Sequence, residues 1–176
     1  MTDNQIEKGS TATPVPVPVA ATDFKTQLKF SAPPTDEEMT ALAQLRSGSD
    51  PWKSRGETQA ESNEALTKLR PFIQIGKLAG NLCAYVTIER DGPVPGAAYM
   101  RNIVIKPEYR QKGLGGLVME HALSVARDMN RKTLALRVDP ANGPAVSFYR
   151  KMGFTTVATV VSKKSGKLRL LMSREL

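Results

Sequence analysis

The stretch Arg110-Gln-Lys-Gly-Leu-Gly-Gly116 packs three glycines and two cations into seven residues, and an apolar-periodic segment follows at once. Leu114, Leu117, Val118, Ala122, Val125, Ala126 and Met129 recur at helical spacing, so the glycine turn opens an amphipathic helix that ends near Asn130. Glycines let backbone N–H groups approach a ligand closely, and the helix N-terminus adds partial positive charge. With Arg110 and Lys112 beside it, this arrangement suits a diphosphate. A glycine turn that caps a helix and binds nothing is the alternative. Two commoner phosphate motifs fail: the dinucleotide fingerprint needs a small residue at Val118, and the P-loop needs Lys-Ser/Thr after its last glycine.

The flanking segments predict a mixed domain. Thr35-Asp-Glu-Glu38 has the form of an N-cap with acidic first-turn residues, opening a helix through about Arg46 that Gly48 ends. A second helix is predicted from about Thr58 to Leu69, stopped by Pro71. Strands are expected at Phe72–Ile75, Leu82–Glu89 and Tyr99–Ile105, with Gln27–Phe30 as a candidate first strand. After the glycine-opened helix come a strand, Thr133–Val138, a short helix from about Pro144 to Met152, and a hairpin. That hairpin pairs Thr156–Val161 with Leu168–Met172 across Ser-Lys-Lys-Ser-Gly-Lys. The fold class is α/β or α+β. Residues 1–25, with Thr13-Pro-Val-Pro-Val-Pro-Val19, are expected to form a disordered or extended tail, and residues 26–176 the folded domain.

Charge divides the chain unevenly. Residues 1–88 hold nine Lys/Arg and ten Asp/Glu, and residues 89–176 hold sixteen and seven, so the halves carry −1 and +9. An anionic partner is expected to meet the second half. Nucleic acid fits poorly, because no aromatic platform is interleaved with the scattered basic residues; a phosphorylated small molecule serves as well. No apolar run is long enough to cross a bilayer, and the polar start Met1-Thr-Asp-Asn-Gln lacks signal-peptide form. A cytoplasmic protein with no membrane partner is therefore expected. The single cysteine, Cys83, excludes an internal disulfide and a cysteine-based metal cage. Its apolar surroundings, Leu82-Cys-Ala-Tyr-Val86, make it a core residue, and no metal site is expected.

Two linked blocks then narrow the function. Asn102-Ile-Val-Ile-Lys-Pro-Glu-Tyr-Arg-Gln-Lys-Gly-Leu-Gly-Gly116 and Asn142-Gly-Pro-Ala-Val-Ser-Phe-Tyr-Arg-Lys-Met-Gly-Phe154 together resemble the GCN5-related N-acetyltransferase (GNAT) family. The first block matches that family's R/Q-x-x-G-x-G/A signature at Arg110, Gly113 and Gly115. The second matches its N-x-x-A-x-x-[FL]-Y-x-x-x-G-F pattern. The clear match covers about residues 97–160. The resemblance implies a mixed twisted sheet with helices on both faces, whose central parallel strands splay apart to hold acetyl-CoA between them. It implies that the backbone of Ile103, Val104 and Ile105 pairs with the pantetheine arm. Arg110 and the amides of Gln111, Lys112, Gly113, Leu114, Gly115 and Gly116 would grip the pyrophosphate. Asn142 would hydrogen-bond the cofactor arm, and Tyr149 would aim its hydroxyl at the thioester sulfur. Tyr149 can equally pack the helix on the sheet with Phe148 and Phe154.

The acceptor side is less defined. Some members of the family carry a glutamate on the strand before the asparagine; here Arg137 holds that place. Glu89, Asp91 or a carboxylate of the first two helices is left to act as base through water. His121, the only histidine, sits at the edge of the apolar stripe and reads as a packing or surface residue. Ser49-Asp-Pro-Trp-Lys-Ser-Arg-Gly-Glu57 joins the two early helices; the resemblance implies that it walls the acceptor pocket, where Trp52 shapes the pocket or simply anchors the loop, and Glu57, Glu61 and Glu64 draw a cationic amine or form a solvated helix face. The function so read is an acetyl-CoA-dependent N-acetyltransferase acting on a primary amine of a small molecule or peptide. A noncatalytic CoA-binding or interaction module of the same fold is the alternative, and a basic nucleic-acid-binding protein the third. A homodimer is compatible with the first two.

Overall fold

The chain enters the fold through a buried aromatic ring. In the computed structural model, which describes residues 24–162 and 165–176, the one-turn helix α1 (Phe24–Gln27) sinks Phe24 into the core and leads to β1 (Lys29–Ser31). The packed part therefore reaches back to Phe24, two residues into the expected tail. The Pro-Val repeat lies outside the described residues, as do Lys163 and Lys164 of the hairpin loop.

The two early helices begin on paired caps. Thr35 precedes α2 (Asp36–Ser47) and Thr58 precedes α3 (Gln59–Thr67). Each threonine hydroxyl accepts from the N–H of the glutamate three residues on, whose carboxylate accepts from the threonine N–H. After Pro71 come β2 (Ile73–Leu78), β3 (Asn81–Glu89) and β4 (Ala98–Ile105). Then follow α4 (Leu114–Asp128), β5 (Thr133–Val138), α5 (Gly143–Lys151), β6 (Thr155–Val161) and β7 (Leu168–Glu175).

The sheet runs β1-β2-β3-β4-β5-β7-β6. The β4–β5 pair is parallel and the others are antiparallel, with β7 returning between β5 and β6. Successive residues of a strand face opposite ways, so β3 serves two cores. Tyr85 joins Ile73, Ile75 and Val104 under Met39, Leu42 and Leu66 of α2 and α3. Ala84, Val86 and Ile88 face Val118, Met119 and Ala122 of α4 on the other side. Helices cover both faces.

The parallel pairing is short. Ala98 pairs with Leu134, Tyr99 with Ala135 and Met100 with Leu136, and there it stops, although β4 runs on to Ile105 and β5 to Val138. At that point β4 carries a bulge: Ile88 of β3 pairs with Met100 and Thr87 with Asn102, so Arg101 is skipped. A bulge bends its strand. The two central strands separate from here as the arms of a V.

Candidate functional site

Past the bulge, the β4 edge that faces β5 has no strand partner among the described residues, and its backbone groups border an open cleft of about 740 Å³. The cleft is walled by β4 from Arg101 to Ile105, by β5 from Arg137, by the start of α5 and by the loop after α2. A strand edge without a partner presents N–H and C=O groups to whatever lies along it.

The start of α4 lies at the open end. Gly113 is its N-cap at φ +83°, and no side chain caps the helix. The Gly116 N–H turns back to the Gly113 carbonyl at 3.1 Å, and the other first-turn N–H groups are left uncapped by side chains. Gln111, at φ +58°, also sits in the left-handed region. A Cβ placed on Gly113 or Gly116 would meet nothing within 4 Å, whereas on Gly115 it would touch the Phe148 ring at 3.5 Å. Arg110 does not hang free: its Nε donates to the Ile105 carbonyl at 2.9 Å and a terminal nitrogen to Ser49 Oγ at 3.4 Å. It ties the glycine turn to the end of β4 and to the loop after α2.

Of the residues singled out from sequence, Ile103, Val104, Ile105, Arg110, Gln111, Gly115, Asn142 and Tyr149 line the cleft together. Lys112, Gly113, Leu114 and Gly116 are not part of that wall, and the Leu114 side chain is buried in the core beneath α4. Asn142 also caps α5, its Oδ1 accepting from the Ala145 N–H at 3.2 Å. Tyr149 packs tilted against Phe148 and edge-on to Phe154, at centroid distances of 5.5 and 6.0 Å. Burial pushes its hydroxyl up to about 12, and no other described side chain or backbone group is hydrogen-bonded to it. It stays a neutral donor at physiological pH.

The acceptor-side expectations divide. The loop from Ser49 to Arg55 does wall the cleft. Trp52 is held there by Arg46, whose guanidinium lies 4.4 Å from the ring centroid and whose Nε bonds Glu57 at 2.7 Å. The three glutamates are occupied locally: Glu57 by Arg46 and by the Ser62 hydroxyl, Glu61 by the α3 cap, and Glu64 by Lys68 at 2.7 Å. Glu89 and Asp91, the candidate bases, are ion-paired with Arg101 and Arg131 and do not line the cleft. Among the described residues the carboxylates on its wall are Asp50 and Asp139. The Ser54 hydroxyl holds the Asp50 carboxyl below the usual range, and Asp139 pairs with Arg169 at 2.9 Å.

His121 packs elsewhere, stacked on Phe30 at 3.6 Å with Nε2 3.2 Å from Gln74 Oε1. Burial holds its imidazole below the usual histidine range. Cys83 is buried, its thiol donating to the Gly76 carbonyl, and burial pushes it up to about 11. Arg101 and Arg169 also line the cleft, and sequence reading passed over both. Charges on short strands carry no local signal of the face they reach, and a bulge changes that face. Among the described residues no cluster of His, Cys, Asp and Glu could hold a metal ion, and no helix is long and apolar enough to cross a membrane.

Residues 38–154 match the Acetyltransferase (GNAT) family. The streptothricin acetyltransferase of Streptomyces lavendulae is 31% identical over 121 residues, 69% of this chain and 59% of that protein. The ribosomal protein bS18-alanine N-acetyltransferase of Escherichia coli (strain K12) is 29% identical over 83 residues, 47% of this chain and 51% of that one. An E. coli structure of the latter name shares the fold at a TM-score of 0.63, 18% identical over 84% of this chain and 93% of the other. A Bacillus anthracis structure solved in complex with acetyl coenzyme A has a TM-score of 0.53, with 20% identity over 59% of this chain and 62% of that one. The chain spans between about half and three-fifths of the length of these two curated relatives. With the splayed strands, the glycine-capped helix and a match over residues 38–154, the chain belongs to the GNAT family of acetyltransferases, whose acetyl donor is acetyl-CoA.

Proposed function

We propose that this chain is an acetyl-CoA-dependent N-acetyltransferase that acetylates a primary amine, of a small molecule or a peptide, by direct attack. The observation that carries the reading is the three-residue pairing of β4 and β5, which leaves a free backbone edge inside a cleft. Acetyl-CoA, when bound, supplies an acetyl group activated as a thioester. The edge at Ile103 and Val104 offers N–H and C=O groups to an extended pantetheine arm, as a neighbouring strand would. The uncapped start of α4, with room above Gly113 and Gly116, leaves backbone donors for a diphosphate, and the charges of Arg110 and Lys112 favour it there. Arg110 also fixes the turn, because the Ile105 carbonyl is its partner.

Tyr149 supports the chemistry. A hydroxyl kept protonated by burial can hydrogen-bond or protonate a departing thiolate, so charge that develops late in the reaction meets a donor already in place. Asn142 uses its oxygen to cap α5 and keeps its amide N–H groups for the cleft. A second reading, a CoA-binding module without turnover, draws on one observation: Glu89 and Asp91 are both engaged in ion pairs.

The test is calorimetric titration with acetyl-CoA, followed by thiol release across a panel of primary amines. Saturable binding with amine-dependent thiol release supports the enzyme. Binding without release favours the module, and no binding overturns both. Titration with duplex DNA at two salt concentrations tests the nucleic-acid reading, which requires tight binding that weakens steeply with salt.

A further inference from the structure

The closed end of the V carries a pair of like charges. The last residues paired between β4 and β5 are Met100 and Leu136, so the next position on each strand is an arginine, Arg101 and Arg137. Both line the cleft. Ala135 faces the small cluster around Tyr99, opposite to the α4 side where Leu134 and Leu136 lie, and alternation puts Arg137 on the Ala135 side. The Arg101 guanidinium lies over the Tyr99 ring, 5.5 Å from its centroid. Burial pushes the Tyr99 hydroxyl up while Arg137, and then Arg101, pull against it.

Like charges side by side on neighbouring strands cost stability unless an anion answers them. Arg101 is answered by Glu89, and Arg169 on the far wall by Asp139 at 2.9 Å. Arg137 is exposed and meets no carboxylate within 4 Å among the described residues. Its position is separate from the expected diphosphate site. The four residue steps from Arg101 to Ile105, where Arg110 and the start of α4 lie, span about 13 Å of strand.

We propose that the fork between β4 and β5, flanked by Arg101 and Arg137, binds a carboxylate carried by the acceptor, so that the acceptor is an amine with an acid group beside its nitrogen, in its simplest form an α-amino acid. This rests on the N-acetyltransferase reading. A guanidinium offers parallel N–H donors that match a carboxylate's two oxygens. The amine of an α-amino acid is only two bonds from the carboxylate carbon, so fixing the acid holds the nitrogen at the fork. Transfer forms an N–C bond to the acetyl carbonyl, breaks the C–S bond, and moves one proton from the amine and one to the thiolate. The carboxylate takes no part beyond positioning.

The experiment compares kcat/KM, expressed per neutral amine from each compound's titrated amine pKa, for standard α-amino acids with that for their α-carboxamides, because losing the carboxylate also lowers the amine pKa. Peptides with a free N-terminus and Asp or Asn at the second position form a parallel arm. We expect at least one acid to exceed its carboxamide by about 10- to 100-fold, and Arg137→Gln to remove most of that gap through KM while Arg137→Lys retains part of it. The acetyl-CoA Kd of both variants stays close to the parent's. A larger Asp-over-Asn ratio in peptides than in free amino acids would assign the carboxylate to a peptide side chain, keeping the fork and replacing the amino acid. Equal use of acids and carboxamides by the parent overturns the proposal while leaving the acetyltransferase intact. So does a Kd for acetyl-CoA that weakens in step with the Arg137→Gln loss, which would place Arg137 in the donor site. Absence of acetyl-CoA binding by the parent overturns the underlying reading and this proposal together.

Discussion

At the starts of α2 and α3 a threonine hydroxyl and a glutamate carboxylate take up free N–H groups, whereas at the start of α4 a glycine at φ +83° offers no side chain at all. The first two helices cover the sheet over Tyr85 and Ile75, with their caps at the surface. The third opens beside the cleft between the separated strands. A helix end that serves only the fold is closed by its own residues. One that serves a ligand keeps its donors available and uses glycine to let the ligand approach. Helix α5 stands between the two cases, since Asn142 both caps it and lines the cleft.

The strongest test of this contrast removes one oxygen at the α5 wall. Tyr149→Phe keeps the ring beside Phe148 and should lower turnover by roughly 10²-fold, with the acetyl-CoA Kd nearly unchanged. A group that acts as an acid loses its effect as pH rises through its pKa. Because burial moves the Tyr149 hydroxyl up to about 12, kcat should show no tyrosine-dependent decline up to about pH 10, where an ordinary tyrosine is half ionised. Full turnover in the Phe variant, or a decline near pH 10 that the variant lacks, would remove the tyrosine's assigned role.

Next in size is the cap itself. Gly113→Val forces a β-branched residue into the left-handed region, and calorimetry should show acetyl-CoA binding weaker by about 10- to 100-fold. Parent-like affinity would mean that α4 is merely another structural end.

Gly115→Ala sharpens the contrast by giving opposite signs. The helical position gains about 0.4–1 kcal/mol of stability, read from the urea midpoint, while acetyl-CoA affinity falls several-fold, because the added methyl narrows the wall next to Phe148. Affinity and stability rising together would break the assignment. Smallest for the ligand are the closed ends: Thr35→Ala and Thr58→Ala should each cost about 1 kcal/mol of stability and leave the acetyl-CoA Kd within twofold. An affinity loss comparable with that of Gly113→Val would erase the distinction between the two kinds of helix end.

Much of this arrangement was legible in particular residues. Thr35 with Glu38, and Thr58 with Glu61, mark both caps through contacts only three residues apart. The glycines and the apolar period placed α4, and the two motif blocks brought Ile103, Arg110, Asn142 and Tyr149 toward one cleft. Phe24, inside the expected tail, is nevertheless buried, because a lone aromatic after the Pro-Val repeat gives no local sign of the core it joins. Glu57, able from sequence to draw a cationic amine or to sit on a solvated face, is instead bonded by Arg46, eleven residues back on α2, and by the Ser62 hydroxyl.

The sequence by itself determined the elements and the chemical inventory: where helices start, which turn needs glycine, which half is basic, and which family the motifs resemble. These depend on neighbours within a few residues, where propensity, capping and periodicity act. Only the tertiary structure decided that β4 skips Arg101, that its pairing with β5 ends after three residues, and that Arg101 and Arg137 flank the fork. It also decided that Arg110 would bind the Ile105 carbonyl. Register, splay and like-charge juxtaposition belong to pairs of strands distant in the chain, and their energies exist only once those strands meet.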